Sequence, residues 1–485
     1  MVYHGPSKGC NSCRVRRKKC DEGRPSCMRC IKANRPCGGY EHGDKMIYRQ
    51  YEAQGPTPQP TIMSWARQCS LPKRVPLPGT NILPDDLIPL ETSQAESQML
   101  GFRCFLFDYG MVSTNQNLSR SYLPDLDALF RQVGFNSDLV KACRAVSFAS
   151  RGKGLNRPAF ISQGERAHQE ILTSLAKIIA YSNANNAAEL KRVVMLLGLY
   201  QMIMADETNY SSIDAHADGL LALVSLGKSA GSLTFNPDNK FLGVFSPPAL
   251  NTGGAFDSLL VDFHILSERV NACQSLDQLR LLVEEAIELE DRFKDWGSSR
   301  SPEFRPSTAG HIPPAANSDE PAVGRWPGKV DSYFDLYVSG VWNTFRGARL
   351  LLISMIIDLS SNLGDGKQCV QQYITRGTQI AEDMAGSVLF HLADNHQTSL
   401  MEKDTASDIK HPGRFLGGFL LMYPMYTACQ TSYLPKAIRS YFRRCLRWIG
   451  SDMGIGMATV LATVDNIDRH HLTCACIIIW SGFIE

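Results

Sequence analysis

Six cysteines between positions 10 and 37 are the residues best suited to chemistry. Their spacing is Cys10-x2-Cys13-x6-Cys20-x6-Cys27-x2-Cys30-x6-Cys37, so the pattern C-x2-C-x6-C occurs twice. Zinc takes four ligands in structural sites, and thiolate sulfur suits it. Six sulfurs exceed one such site and fall two short of two independent ones, so two sulfurs must serve both metals. By the symmetry of the repeat these are equivalent members of each half. The alternative is six unrelated buried cysteines, and two identical repeats in so short a span argue against it. The segment has too little apolar content to fold alone, so metal must supply much of its folding energy. The N-terminus MVYHGPSKGC has no apolar core of a secretory signal. A reducing compartment is therefore expected, where clustered cysteines are metal ligands rather than disulfides.

Charge divides the 485-residue chain in the same place. Residues 1–50 hold 12 Lys and Arg against 4 Asp and Glu, a surplus of +8, while the remainder carries −6 of the net +2. A small basic head on a mildly acidic body suggests that the head meets a polyanion. Five of the six residues between Cys13 and Cys20 are basic: Arg14, Arg16, Arg17, Lys18 and Lys19. The equivalent stretch of the second repeat has only Lys32 and Arg35. A merely solvated charge run would not be confined to one half of a metal-pinned repeat. The first half is then the groove reader, with Arg or Lys donating to guanine O6 and N7. The second half, with Lys8, Arg24 and Arg29, suits phosphate contacts.

The segment resembles the fungal Zn2Cys6 binuclear-cluster family of transcription factors. Members carry a basic run of the form C-R-x-R-K-x-K-C-D, which here is Cys13-Arg14-Val15-Arg16-Arg17-Lys18-Lys19-Cys20-Asp21. Pro25 stands between the halves, where the family usually has proline. The resemblance implies two zinc ions held by Cys10, Cys13, Cys20, Cys27, Cys30 and Cys37, with Cys10 and Cys27 bridging. It also implies a CGG-type triplet read by a short helix in the major groove. Arg17 stands where lysine is more usual. It keeps the charge, but a forked guanidinium does not place its donors as an ammonium does. The run Arg16–Lys19 has the character of a nuclear import signal.

The rest of the chain must carry this head. Residues 1–45 form the zinc head and 46–98 a linker, with eight prolines between 51 and 98 that leave no helical period intact. Residues 99–485 read as an all-α regulatory domain. The clearest helix is Ser275–Trp296, opened by a capping box at Ser275-Leu276-Asp277-Gln278 and stopped by Gly297. Helical spacing is also expected over Gly164–Tyr181, Ala187–Ala205, Ser212–Leu226, Phe256–Cys273, Ser332–Leu359, Gln371–Leu392, Arg414–Gln430, Lys436–Ile449 and Gly456–Asp465. The Pro/Ser/Gly stretch 298–330 reads as a long mobile loop. The uncharged run Phe415–Pro435 is nominally long enough to span a membrane, but polar residues and Pro424 favour a buried helix.

Trp342–Arg346 with Arg349-Leu350, Ala381–Leu392, Phe419–Tyr426 and Trp448–Ile455 are similar to segments of the family's helical regulatory domain. Enzyme-like fragments do not hold up. Ala222–Ser229 approaches a phosphate-binding loop but lacks its first glycine and follows a helix. Gly450–Gly454 places its serine one position early for a nucleophile elbow. His470, His471, Cys474 and Cys476 could hold a metal, though such a group near a chain end is more often incidental.

These features predict a non-enzymatic, nuclear, sequence-specific DNA-binding regulator of RNA polymerase II genes. The resemblance extends this to a secondary-metabolite gene cluster. Expected partners are double-stranded DNA, the transcription machinery and, as an open option, a small-molecule effector; no membrane is expected. The alternative is a ligand-sensing helical receptor whose zinc head only tethers it to DNA. No sustained heptads follow the head, so monomeric binding and dimerisation through the body both stay open.

Overall fold

The computed structural model describes residues 10, 12–13, 16, 18–21, 26–37 and most of 94–484. Within the latter it omits 135, 181–186, 227–243, 246–255, 315–319, 364–366 and 403–406. The chain separates into two compact units, Met1–Gln59 and Pro60–Glu485. The expected linker lies outside the described residues except at its end, where the first body helix begins at Gln94 rather than after 98.

In the head, a short helix, α1 (Met28–Lys32), follows Cys27, whose sulfur accepts from the Cys30 N–H. In the body, α2 (Gln94–Tyr109), α3 (Leu126–Val133), α4 (Asp138–Gly154), α5 (Pro158–Ala180) and α6 (Ala187–Met204) come first. Next are α7 (Ile213–Leu226), α8 (Phe256–Asn271) and α9 (Leu276–Ser298). A strand pair, β1 (Ser307–Ile312) and β2 (Gly328–Ser332), separates these from α10 (Leu336–Leu363) and α11 (Lys367–Leu392). The chain ends with α12 (His396–Leu400), α13 (Phe415–Gln430), α14 (Lys436–Asp452), α15 (Gly456–Thr463) and α16 (Arg469–Ser481).

A helix apolar all round must be buried on every side. That describes α13, in which every residue but Thr427 and Gln430 is buried. It packs against α10, α11, α14, α15 and α16 and forms the axis of the body. At about 24 Å it is too short to cross a bilayer. No helix among the described residues is long and apolar enough to do so. Helix α4 buries twelve residues, many of them small, between α2, α5 and α6.

The stretch 298–330 corrects the expected mobile loop. Strands β1 and β2 pair antiparallel, Ser307 opposite Ser332 and Ile312 opposite Gly328. Core contacts hold the hairpin and its flanks in place. Phe304 is buried, and its carbonyl accepts from Trp342 Nε1 at 2.8 Å. Arg325 donates to the Ser399 carbonyl at 2.6 Å and to Glu402 at 2.7 Å. The buried Asp331 faces Arg346 at 3.6 Å.

Gly297 also departs from expectation. It lies inside α9, which Ser275 caps at the expected start by accepting from the Gln278 N–H at 3.3 Å. A Cβ at Gly297 would stand 3.1 Å from the Phe345 ring, so this glycine permits close helix packing rather than ending the helix. Around it Phe256, Phe293, Trp296, Phe304, Trp342 and Phe345 form one aromatic cluster.

Candidate metal centre and nucleic-acid interface

The 17-residue sequence repeat recurs in the backbone of the head. The Cys13 N–H donates to the Cys10 carbonyl and Cys30 to Cys27, at 3.1 and 3.0 Å. The Lys18 N–H donates to the Cys13 carbonyl and Arg35 to Cys30, at 3.0 and 3.1 Å. The ties between the halves obey the same relation. Ser12 Oγ donates to the Pro36 carbonyl at 3.2 Å, and its counterpart Arg29 donates through Nη1 to the Lys19 carbonyl at 2.6 Å. A local two-fold relation thus governs the fold of the head, not only its spelling.

This frame gathers the sulfurs. Cys10, Cys13, Cys20 and Cys27 place their Sγ atoms within 4.8 Å of one another, and so do Cys10, Cys27, Cys30 and Cys37. Cys10 and Cys27 belong to both sets. Their Sγ atoms are 3.6 Å apart, with Cys10–Cys30 and Cys13–Cys27 each at 3.8 Å. Four sulfurs at ordinary Zn–S length around a tetrahedral zinc lie about 3.8 Å apart, so the sites fit the ion. Burial, more than any other cause, pushes the Cys10 and Cys13 thiols up to about 12. Cys30 rises to about 12 through its hydrogen bond with Cys27 first and burial second. Zinc must displace these protons, which makes loading pH-dependent.

Asp21, the residue after the third cysteine, adds a contact that spacing could not reveal. Its carboxylate accepts from the Met28 N–H at 2.9 Å and the Arg29 N–H at 3.2 Å. A negative group there satisfies two open donors at the start of α1. Arg29, assigned to phosphate from sequence, therefore has a structural bond as well. Of the expected DNA contacts, Arg16, Lys18 and Lys19 are exposed. Arg14 and Arg17 lie outside the described residues, as do Lys8 and Arg24.

Comparison with known proteins bears on this site directly. The model of the fungal Zn(2)-Cys(6) binuclear cluster domain matches residues 8–45. Transcription factor dbaG of Emericella nidulans is 34% identical over 420 residues, which cover 83% of this chain and all of that protein. The chain belongs to the fungal Zn(2)-Cys(6) transcription factors. As a Zn(2)-Cys(6) factor it binds two zinc ions and DNA and regulates transcription. Shorter matches include two regulators named for biosynthetic clusters. The sorbicillinoid biosynthetic cluster transcription factor sor3 of Hypocrea jecorina is 38% identical over 77 residues, 15% of this chain and 11% of its own. The aspercryptin biosynthesis cluster-specific transcription regulator atnN of Emericella nidulans is 59% identical over 32 residues, 7% of this chain and 5% of its own. No solved structure matches the chain.

The remaining sequence candidates fall elsewhere. Trp342 and Arg346 are buried packing residues, with Arg346 Nη1 on Tyr333 Oη at 2.8 Å. Ala222–Leu226 lies within α7 and the rest of that glycine-bearing fragment outside the described residues. His470 and Cys474 approach each other, whereas His471 pairs with Asp214 at 2.9 Å.

Proposed function

We propose that this Zn(2)-Cys(6) factor acts in the nucleus on RNA polymerase II genes, reading a CGG-type triplet to control a biosynthetic gene cluster. Cys10, Cys13, Cys20 and Cys27 hold one zinc, and Cys10, Cys27, Cys30 and Cys37 the other. The observation that carries this reading is the pair of four-sulfur sets sharing Cys10 and Cys27, with the basic run suspended between Cys13 and Cys20. The Lys18 N–H is bonded to the Cys13 carbonyl, which anchors Lys18 to the metal frame. Arg14, Arg16, Arg17, Lys18 and Lys19 then meet DNA from a run that begins and ends on proposed metal ligands. Arg17 is the main reader, donating in the major groove, and the others steer and hold the phosphates. The cluster-specific names of sor3 and atnN support the biosynthetic assignment.

The test compares Arg17→Ala with the parent chain on a CGG duplex and on a scrambled one. A base reader loses about 1–3 kcal/mol on the specific duplex and little on the other. Equal losses on both would demote Arg17 to a phosphate contact and pass the reading role to Lys18.

A further inference from the structure

Far along the chain from the zinc head, α7 and α16 pack against each other and bring three different donor types together. Asp218 comes from α7, and His470 and Cys474 sit one turn apart on α16. One ligand atom from each, a carboxylate oxygen, a ring nitrogen and Sγ, lies within 4.8 Å of the other two. His470 Nε2 is 3.5 Å from Cys474 Sγ. A tetrahedral zinc with ordinary Zn–N and Zn–S bonds sets two such atoms about 3.5 Å apart. Two helical side chains at i and i+4 face the same way, so the pair needs no loop to assemble it. A second bond holds the seam next door. Asp214, one turn before Asp218, accepts from His471 Nδ1 at 2.9 Å, and His471 is buried. That pair fixes the register of α7 on α16 and so sets Asp218 opposite His470 and Cys474.

We propose that Asp218, His470 and Cys474 form a third zinc site, separate from the DNA-binding head. Thiolate, imidazole and carboxylate together suit zinc and other borderline divalent cations, not magnesium or calcium, which require oxygen shells. On binding, the Cys474 thiol gives its proton to solvent and the thiolate joins the metal. Asp218 and His470 are exposed, so the fourth position opens to water. Bridging α7 to α16 makes the ion a clamp on the C-terminal helix.

The test is zinc content of the full chain after dialysis against buffered micromolar zinc, by elemental analysis. Three zinc ions per chain are expected. Asp218→Asn and His470→Asn should each bring the content to two. Both side chains are exposed, so the thermal melting of either variant without added zinc should match the parent. Cys27→Ser, which disables the head, should leave one. Calcium or magnesium in place of zinc should leave the third site empty. A parent chain that holds only two zinc ions, or a third ion that survives both exposed-residue substitutions, overturns the proposal. So does a Cys27→Ser chain that holds none.

Discussion

Cys10 and Cys27 stand apart from the other four cysteines because each belongs to both sulfur sets. On the proposed assignment, replacing one of them removes a ligand from two metals at once. Cys27→Ser should therefore empty both head sites, whereas Cys37→Ser touches only one directly; zinc counts on the two variants separate the cases. Asp21 carries a smaller, measurable effect. Asp21→Ala leaves the Met28 and Arg29 N–H groups without their acceptor. A lost cap costs about 1 kcal/mol, so a chelator should strip the head at roughly fivefold lower concentration than it strips the parent. An unchanged chelator midpoint would mean that water replaces the carboxylate at no cost. The cysteines were legible in the sequence because metal coordination demands fixed residue types at fixed spacings. Asp21 was not, since its partners lie seven and eight residues on and meet it only once the metal frame has turned the chain back. Ser12 and Arg29 stayed hidden for the same reason: their acceptors are backbone carbonyls of the opposite half.

At the scale of elements, helices with a marked apolar face or a long uncharged run were legible, and those built of small residues were not. The start of α9 follows from Ser275 and the alternation of leucines with glutamates. Helix α4 escaped notice because its buried residues include Ala142, Ala145, Ser147, Ala149, Ser150 and Gly152, which give no contrast between faces. Helix α16 went unread for a related reason: Ile477, Ile478, Ile479 and Trp480 are buried at consecutive positions and mark no single face. The hairpin of β1 and β2 has no alternating pattern, since almost all of β1 is exposed or half-exposed, and its order comes from partners distant in sequence. One such element pair is sensitive to acid. Between α10 and α11, His391 Nε2 meets Ser339 Oγ at 2.6 Å and Asn343 Nδ2 at 3.0 Å, while Nδ1 faces the Gly417 carbonyl at 3.1 Å. Burial pushes this ring down to about 4, and nearby Arg346 also disfavours its charge. Between pH 6.5 and 4 the unfolded chain takes up a proton that the folded chain refuses. Stability present above pH 6.5 is therefore lost as pH falls through this window, by on the order of 3 kcal/mol in full. The urea midpoint of the helical signal should drop between pH 7 and pH 4.5. A midpoint that drops no more in the parent than in His391→Asn over this range would show that the folded body protonates His391 freely.

At the scale of the molecule, composition alone separated head from body, because the basic surplus and the cysteine repeat end together. The chain separates by contacts into two compact units whose boundary falls at Gln59. With its positive surplus confined to residues 1–50, the head should bind DNA without the body. A fragment of residues 1–98 loaded with zinc should retain affinity, and that affinity should fall with salt by about 0.9 log units per phosphate neutralised for each tenfold rise. A fragment inert at low salt, beside an active full chain, would mean that the body forms part of the DNA interface.

The recurrence of backbone bonds 17 residues apart has a consequence for polarity on the duplex. The metal frame is even-handed and its charge is not. The ties that hold it, from Ser12 to the carbonyl of residue 36 and from Arg29 to that of residue 19, end on main-chain atoms. So do the N–H bonds from residues 18 and 35 to the carbonyls of Cys13 and Cys30. Exchanging the six-residue loops 14–19 and 31–36 would therefore leave every one of these acceptors, and all six sulfurs, in place. The positive pole would move to the other side of the metal pair. On the proposed reading, in which this charge meets DNA, such a transplant should reverse the direction of the head along its site, with asparagine kept at position 34, where φ is 48°.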